Sequence, residues 1–372
     1  MLLRNSRVLP LVLTVLTFLH SALLAQEPGA ANQPAAESPQ SSSQPSKGQG
    51  GQISTPPPEA APSPNQKDSS QDNQSQANHT QQSQDQGQTG DNGVFVFKKQ
   101  VEEVMLHATV MDDKNHLVTN LDKGAFTVFE NNQPQTITSF RHEDIPVAMG
   151  IVIDNSGSMR EKRDKVNKAA LNLVRSSNPQ DQVFVVNFND EYYLDQPFTS
   201  DINKLREALE KVEARGGTAL YDAIVASADY MKKNAKLQKK VLFVVTDGED
   251  NASRESLEEA VRRLQEENGP TVYAIGLLGE EKARRARRAL ETIAQRTGGI
   301  AFLPRTLDEV DQISSSVAHD IRNQYTIGYK PTTPKSAGGY RAIRVEAHAK
   351  GYGKLVVRTR SGYYPGQETG PS

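Results

Sequence analysis

Residues 147–158 read VAMGIVIDNSGS, a run of seven apolar or small residues followed at once by Asp154. A strand that is covered on both faces of a sheet needs such a continuous apolar run, because neither of its faces meets water. The residues after Asp154 are small and polar, which is typical of a turn that leads into a helix. The stretch therefore predicts a buried strand over 147–153 that ends in a polar loop.

The same alternation of apolar runs and helical spacing continues as far as residue 322. Apolar runs predict strands, and apolar residues at a period of about 3.6 predict the helices between them. We predict strands at 147–153, 183–188, 241–246, 271–277 and 300–303, and helices at 158–176, 201–213, 219–235, 254–267, 281–296 and 306–322. Because strands that alternate with helices form a parallel sheet, the predicted fold class is α/β with a doubly wound, mainly parallel sheet over residues 146–323.

Residues 94–145 and 324–364 show a different pattern, in which short strands are separated by turn residues. We predict strands at 101–111, 125–130, 136–141, 325–329, 341–349 and 355–360. Asn131-Asn132 is predicted as the turn between the second and third of these strands, and residues 350–353 as the turn between the last two. Since neither segment is large enough to close a core alone, we predict that they pair as one small discontinuous β-sandwich beside the α/β domain.

The N-terminal part of the chain is not typical of a folded domain. Residues 1–25 combine Arg4 and Arg7 with an apolar run that ends at Ala25, which is typical of a secretory signal peptide. Cleavage after Ala25 is our first interpretation, and retention of the segment as a membrane anchor is the alternative. The sequence thus predicts an exported protein that is secreted, periplasmic or associated with the cell envelope.

Two further segments are predicted to be disordered. Residues 26–92 contain 15 Gln, 11 Ser and 9 Pro, and a segment of this composition cannot bury enough apolar surface to offset the entropy of ordering it. We interpret it as a linker, and residues 365–372 as a tail.

The composition of the whole chain excludes several kinds of site. Its 372 residues include no Cys, which excludes disulfides, thiolate metal sites, iron–sulfur clusters and a cysteine nucleophile. The 43 Lys+Arg nearly balance the 45 Asp+Glu, so the overall charge gives no reason to expect a nucleic-acid partner.

Polar side chains follow two of the predicted strands and one tight loop. Asp154, Ser156 and Ser158 follow the first strand, Thr218 follows Gly216-Gly217, and Asp247 follows the strand at 241–246. Ligands of open α/β sheets bind at the carboxyl ends of the strands, so we expect these side chains to converge. Carboxylates and hydroxyls are hard oxygen ligands that suit Mg²⁺. The sequence therefore predicts a magnesium site at this edge of the sheet.

At this point the sequence resembles the von Willebrand factor A domain. That family carries Asp-x-Ser-x-Ser after an apolar strand, then Gly-Gly-Thr, then a strand ending in Thr-Asp-Gly, and the three motifs form its metal-ion-dependent adhesion site. The resemblance implies a Rossmann-like domain over residues 146–323. The flanking β segments, the export signal and the ending Arg360-Ser-Gly-Tyr-Tyr364 further resemble the exported bacterial VWFA-related domain proteins of the acidobacterial type.

The resemblance also implies a role for each motif position. Ser156 and Ser158 would bind the metal directly through their hydroxyls, Asp154 and Thr218 directly or through water, and Asp247 mainly through water. The implied cofactor is Mg²⁺, with Mn²⁺ or Ca²⁺ as alternatives. The implied partner is a protein that presents an Asp or Glu carboxylate to the metal.

Three functions remain open at this stage. The first is a non-enzymatic binding or adhesion protein that uses the metal to hold an acidic residue of its partner. The second is a structural component of an envelope assembly, in which the metal only stabilises the fold. The third and weakest is a metal-dependent hydrolase, because the same ion could activate water. Taken singly, Ser158 and Thr218 would be interpreted as helix caps rather than ligands. A membrane is expected as a partner only if residues 1–25 remain as an anchor.

Overall fold

In the computed structural model, the structure describes residues 103–279 and 283–366. The predicted signal peptide, the predicted linker and most of the predicted tail lie outside these residues. The strands are β1 (Val104–Met111), β2 (Phe126–Glu130), β3 (Gln133–Gln135), β4 (Ile137–Arg141), β5 (Val147–Asp154), β6 (Gln182–Phe188), β7 (Tyr192–Thr199), β8 (Lys239–Thr246), β9 (Thr271–Gly276), β10 (Ala301–Phe302), β11 (Tyr325–Tyr329), β12 (Arg341–Ala347), β13 (Val356–Arg358) and β14 (Gly362–Tyr363). The α-helices are α1 (Arg163–Arg175), α2 (Ile202–Glu210), α3 (Leu220–Asn234), α4 (Leu257–Leu264), α5 (Ala283–Thr297) and α6 (Glu309–Arg322).

A six-stranded sheet with the order β10-β9-β8-β5-β6-β7 forms the centre of the α/β domain. β5 lies between β6 and β8 and is parallel to both, and all eight of its residues are buried. Ile151 and Ile153 point into the core that holds α1, α2 and α6, whereas Val152 points into the core that holds α3, α4 and α5. The sheet is therefore covered by helices on both faces, and the predicted α/β, doubly wound fold class is confirmed.

One strand of this sheet, β7, is absent from the predicted elements. It runs antiparallel to β6 at the edge of the sheet, and its first residues Tyr192, Tyr193 and Leu194 are exposed. An edge strand with one open side lacks the continuous apolar run that marks the buried strands, so periodicity alone does not reveal it.

The remaining strands form two antiparallel sheets with a common core. One sheet has the order β13-β1-β11-β4 and the other β14-β12-β2-β3, and Leu106, Val128, Tyr325 and Val345 pack between them. Each sheet contains strands from before and after the α/β domain, so the flanking segments do form antiparallel sheets as the predicted fold class requires.

Two predicted turns connect different strands from those we expected. Asn131 and Asn132 adopt φ values of 49° and 64° and join β2 to the short strand β3, not to the strand at 137–141. Chain reversal with two left-handed residues suits a tight hairpin. β4 instead pairs with β11 in the other sheet. Likewise β12 and β13 belong to different sheets, so residues 350–353 do not close a hairpin. In the described part of the chain, no helix combines the length and the apolar character needed to cross a membrane.

Candidate metal centre

Asp154 is the last residue of β5, and its side chain is held from two directions. Its Oδ1 accepts a hydrogen bond from the backbone N–H of Ser156 at 2.7 Å, and its Oδ2 accepts one from Oγ1 of Thr246 at 2.6 Å. Thr246 ends the adjacent strand β8, so the carboxylate is fixed between two parallel strands. The residue is completely buried, although it lies at the edge of the sheet.

The two serines connect this strand end to the next one. The Oγ atoms of Ser156 and Ser158 lie 3.2 Å apart, and Oγ of Ser158 donates to Oδ1 of Asp247 at 2.7 Å. Ser158 lies in a short 3₁₀ turn, Gly157–Met159, and α1 begins only at Arg163. The helix therefore starts five residues later than predicted, and Ser158 faces the site instead of capping a helix.

Thr218 approaches the same place from the loop before α3. Gly216 has a φ of 73°, which favours glycine, and the N–H of Gly217 donates to Oδ1 of Asp190 at 2.7 Å. The N–H of Thr218 donates to Oδ1 of Asn251 at 2.9 Å. A Cβ placed on Gly248 would lie 3.3 Å from Oγ1 of Thr218, so the hydroxyl lies directly against the end of β8.

The structure thus places all five predicted site residues at one edge of the sheet. Thr218 does not cap α3, whose N-cap residue is Ala219, so the alternative interpretation as a helix cap fails for both Ser158 and Thr218. Ser158, Thr218 and Asp247 line an open cavity of about 400 Å³. The other residues that line it are Gly248, Glu249, Asp250, Asn251, Leu278 and Gly279.

The electrostatics of the cluster favour a cation. Burial raises the pKa of Asp154, and the charge of Asp247 raises it further, while hydrogen bonds from Thr246 and Ser156 act in the opposite direction. The side chain of Asp247 is only 1% exposed, and its Oδ2 forms an ion pair with Nζ of Lys162. The cluster therefore holds two buried carboxylates, of which only Asp247 contacts an ammonium group, so it has one positive charge fewer than negative charges.

The donor set fits a hard divalent ion that keeps part of its water shell. Among residues 103–279 and 283–366, no group of three or more His, Asp or Glu side chains is placed to hold a metal. Only two carboxylates are available here, and the other donors are neutral hydroxyls. Such a set suits Mg²⁺ because this ion binds few carboxylates and retains several waters. Ser156, Ser158 and Thr218 would supply the hydroxyl oxygens, and Asp154 and Asp247 the charge.

Several residues around this site are not among the predicted ones. No motif marks Lys162, Asp190 or Asn251. Lys162 pairs with the charge of Asp247, and the other two residues accept hydrogen bonds from the loop that carries Thr218. Asp222 lies in the first turn of α3, and its carboxylate accepts hydrogen bonds from the N–H groups of Arg254 and Glu255. It therefore anchors the loop that follows β8.

Part of the α/β domain matches a known protein family. Residues 149–249 match the family model described as the von Willebrand factor type A domain, and all five site residues lie within the match. An uncharacterized protein of Synechocystis sp. is 26% identical over 138 residues, which is 35% of this chain and 32% of that protein. The chain therefore covers about one third of the length of this curated relative.

Solved structures with a similar arrangement are distant in sequence. A von Willebrand factor type A protein from Catenulispora acidiphila is 15% identical with a TM-score of 0.42, covering 73% of this chain and 76% of that one. An aerotolerance-related membrane protein from Bacteroides fragilis is 20% identical with a TM-score of 0.39, covering 47% of this chain and 98% of that one.

Proposed function

The chain contains a von Willebrand factor type A domain, and from this premise we propose that it is an exported, non-catalytic binding protein of the adhesion type. Its domain would hold a divalent cation, Mg²⁺ in the first place, at Asp154, Ser156, Ser158, Thr218 and Asp247. The partner would be a protein that offers an Asp or Glu carboxylate. The same site gives no support for nucleic acid as a partner.

One observation carries this proposal. Oγ of Ser158, in the 3₁₀ turn after β5, lies 2.7 Å from Oδ1 of Asp247, which directly follows β8, and both line the open cavity with Thr218. Hydroxyls and carboxylates from three separate segments thus converge on one accessible point. A bound cation would supply positive charge there and a coordination position for an oxygen from outside.

Neighbouring residues of the chain hold the proposed metal ligands in place. Asp154 balances charge from a buried position, and hydrogen bonds from Ser156 and Thr246 orient it. Asp190 and Asn251 hold the loop that carries Thr218. The site would therefore be preorganised, with its ligands fixed by surrounding hydrogen bonds before an ion or a partner arrives.

The predicted export of the chain fits the same proposal. The predicted signal peptide and the long predicted linker would place the domain outside the cytoplasm, at a distance from any membrane or wall to which the N-terminus is attached. We propose an envelope or extracellular location for this chain.

The test measures metal binding and partner capture with the same three proteins. Mn²⁺ binding by the full chain is followed by electron paramagnetic resonance, with Mg²⁺ as competitor, and compared with Asp154→Ala and with Asp229→Ala. Asp229 is a partly exposed aspartate on α3 that pairs with Arg263, so it controls for the loss of one carboxylate. We expect Asp154→Ala to lose at least a hundredfold in Mn²⁺ affinity and Asp229→Ala to remain unchanged.

Partner capture from an envelope extract then separates the open functions. We expect capture in Mg²⁺, loss of capture in EDTA, and loss with Asp154→Ala. The captured protein should in turn lose binding when one of its Asp or Glu residues is changed to Asn or Gln. Capture that survives both EDTA and Asp154→Ala, while EDTA lowers the melting temperature, would replace our proposal with a purely structural metal.

A further inference from the structure

Lys162 contacts one of the proposed metal ligands, although no motif marks it. Its Nζ forms an ion pair with Oδ2 of Asp247, while Oδ1 of the same carboxylate accepts from Ser158. The lysine side chain is 29% exposed and the aspartate side chain 1% exposed. An ammonium group therefore reaches from the surface into the cluster of proposed metal ligands.

The position of Lys162, directly before α1, does not explain why this residue is a lysine. Lys162 is the N-cap residue of the helix and makes no capping hydrogen bond. The N-terminus of a helix carries partial positive charge, so a cation is disfavoured there and Ser, Thr, Asp or Asn is the usual residue. The first turn of α1 does carry an acidic residue, Asp164. Helix stability thus gives no reason for a lysine at 162, whereas the carboxylate of Asp247 does.

Charge balance shows what the lysine does for the site. Without it, the carboxylates of Asp154 and Asp247 would be two buried like charges with hydroxyls as their main partners. Buried carboxylates need compensation, because taking an ion out of water is costly. The other nearby cations have different partners, since Arg160 contacts the carbonyl of Ala214 and Arg285 contacts Glu249. Lys162 supplies the compensating charge.

We propose that Lys162 is a built-in counter-ion that competes with the divalent cation for Asp247 and so sets the metal affinity of the site. This inference rests on the proposed function. The ammonium is tethered and always present, so an incoming ion has to share or displace its contact with Asp247. The site is therefore stable without metal and binds metal less tightly than the same ligands would without the lysine.

Lys162→Met tests this inference, because methionine keeps much of the length of the side chain and removes its charge. The matched control is Lys165→Met, which lies on the same helix and whose Nζ pairs with the exposed Asp308 at 2.6 Å. Mn²⁺ binding to each full chain is measured by electron paramagnetic resonance, with Mg²⁺ competition. We expect Lys162→Met to bind at least tenfold more tightly than the parent, and Lys165→Met to bind within twofold of it.

A second measurement, of the melting temperature, distinguishes a change in metal affinity from a folding defect. In EDTA, Lys162→Met should melt at a lower temperature than the parent, because Asp247 has lost its partner. Saturating Mg²⁺ should raise the melting temperature of Lys162→Met by more than it raises that of the parent. Unchanged or weaker Mn²⁺ binding by a folded Lys162→Met would overturn the inference.

The outcomes also distinguish this inference from the proposed function. If the parent binds Mn²⁺ and Lys162→Met binds no more tightly, the inference fails and the metal site stands. If neither the parent nor Lys162→Met binds Mn²⁺, both fail together. Binding by Lys162→Met alone would support the inference strongly, because the lysine would then be the reason that the parent site is weak.

Discussion

The molecule contains two buried carboxylate clusters, at opposite ends of the parallel sheet, and they are completed in different ways. The metal edge, defined by Asp154, Ser156, Ser158, Thr218 and Asp247, lies at the carboxyl ends of the strands. The interface cluster lies where the sandwich meets the α/β domain and consists of Thr109, Tyr273, Asp320, Gln324 and Arg358. Each cluster is built from side chains that are far apart in sequence.

In the interface cluster both oxygens of the carboxylate accept hydrogen bonds from protein side chains. Oδ1 of Asp320 accepts from Thr109 at 3.0 Å, and Oδ2 accepts from the hydroxyl of Tyr273 and from Nη2 of Arg358, each at 2.5 Å. The strands β1, β9 and β13 are thereby tied to the last helix, α6. Burial and the charge of Asp320 raise the pKa of Tyr273 well above its ordinary value, so this hydroxyl remains a donor.

The metal edge differs because it is left incomplete on one side. Its two carboxylates have one ammonium contact between them, from Lys162 to Asp247, and Asp247 lines an open cavity of about 400 Å³. A cluster whose charges and hydrogen bonds are satisfied stabilises a fold, whereas one that lacks a cation can bind one. The number of buried carboxylates therefore does not separate a structural cluster from a binding cluster. The two kinds differ in whether the carboxylates still lack positively charged partners.

The largest effect that we expect comes from the same substitution made in both clusters. Asp320→Ala should lower the free energy of unfolding by about 3 kcal/mol, because it leaves the half-buried Arg358 without its carboxylate and removes the acceptor of Thr109 and Tyr273. Asp154→Ala, measured in EDTA, should lower it by only about 1 kcal/mol. The burial that raises the pKa of Asp154 shows that its charge is costly without metal, so its loss is partly compensated. Urea unfolding followed by circular dichroism measures both values.

For Mn²⁺ affinity we expect the reverse, with a larger loss in Asp154→Ala than in Asp320→Ala. Asp320→Ala should keep the affinity of the parent within about threefold, an expectation based on the independence of distant sites. Asp154→Ala should lose at least a hundredfold in Mn²⁺ affinity. Equal losses of stability for the two variants would contradict the distinction between a closed cluster and an open one.

Most of the α/β domain could be predicted from the sequence, because buried parallel strands are continuous apolar runs and the helices between them are amphipathic. The edge strand β7 could not, since its exposed Tyr192, Tyr193 and Leu194 follow no buried pattern. In the sandwich, strand positions were predictable but partners were not. Whether Asn131-Asn132 leads to β3 or to β4 depends on which sheet each strand joins, and this is decided by contacts distant in sequence.

The candidate site, too, could be predicted from the sequence only in part. Its five oxygen donors were predictable because each follows a strand or a tight glycine loop, and strand ends converge. Lys162 was not, although a lysine at the start of a helix is an anomaly that could have drawn attention to it. Asp190 and Asn251 act through backbone N–H groups of a distant loop, and nothing in the local sequence indicates such contacts.

A smaller effect is expected from pH, and it arises on the interface side of the molecule. Burial, followed by the charges of Lys239 and Arg360, lowers the pKa of His107 to about 3. The unfolded chain would protonate this histidine near pH 6.5, so below that pH it binds more protons than the folded chain does. The free energy of unfolding should therefore fall, by up to about 1.4 kcal/mol per pH unit, as the pH is lowered from 6.5 towards 4.

The contribution of His107 to the pH dependence of stability has to be isolated, because Asp181 changes the stability with pH in the opposite direction. The variant His107→Gln does this. Burial raises the pKa of Asp181 to about 6, so the folded chain binds more protons at that carboxyl between about pH 4 and 6. The stability difference between the parent and His107→Gln should change with pH as stated. His348→Gln, at an exposed histidine, should leave the profile of the parent unchanged. A difference that does not vary between pH 4 and 6.5 would show that His107 does not titrate separately in the two states.

The smallest effect is expected from Asn251→Ala, which tests whether the ligands of the metal edge are held in place before an ion binds. Asn251 accepts from the N–H of Thr218 at 2.9 Å and donates its own N–H to the carbonyl of Thr218 at 3.0 Å. Asn251→Ala removes only the first of these bonds. We expect about a tenfold loss of Mn²⁺ affinity with a stability change of about 1 kcal/mol, because residues that orient metal ligands contribute more to binding than to folding.

Asn234→Ala is the matched control for Asn251→Ala, since Asn234 lies at the other end of α3 and donates to the carbonyl of Tyr230 at 2.8 Å. It should leave Mn²⁺ affinity unchanged while costing a similar, small amount of stability. If Asn251→Ala also bound Mn²⁺ as the parent does, Thr218 would not need to be held in place. The ion would then have to organise the site on arrival, and the metal edge would differ from the interface cluster in rigidity as well as in charge.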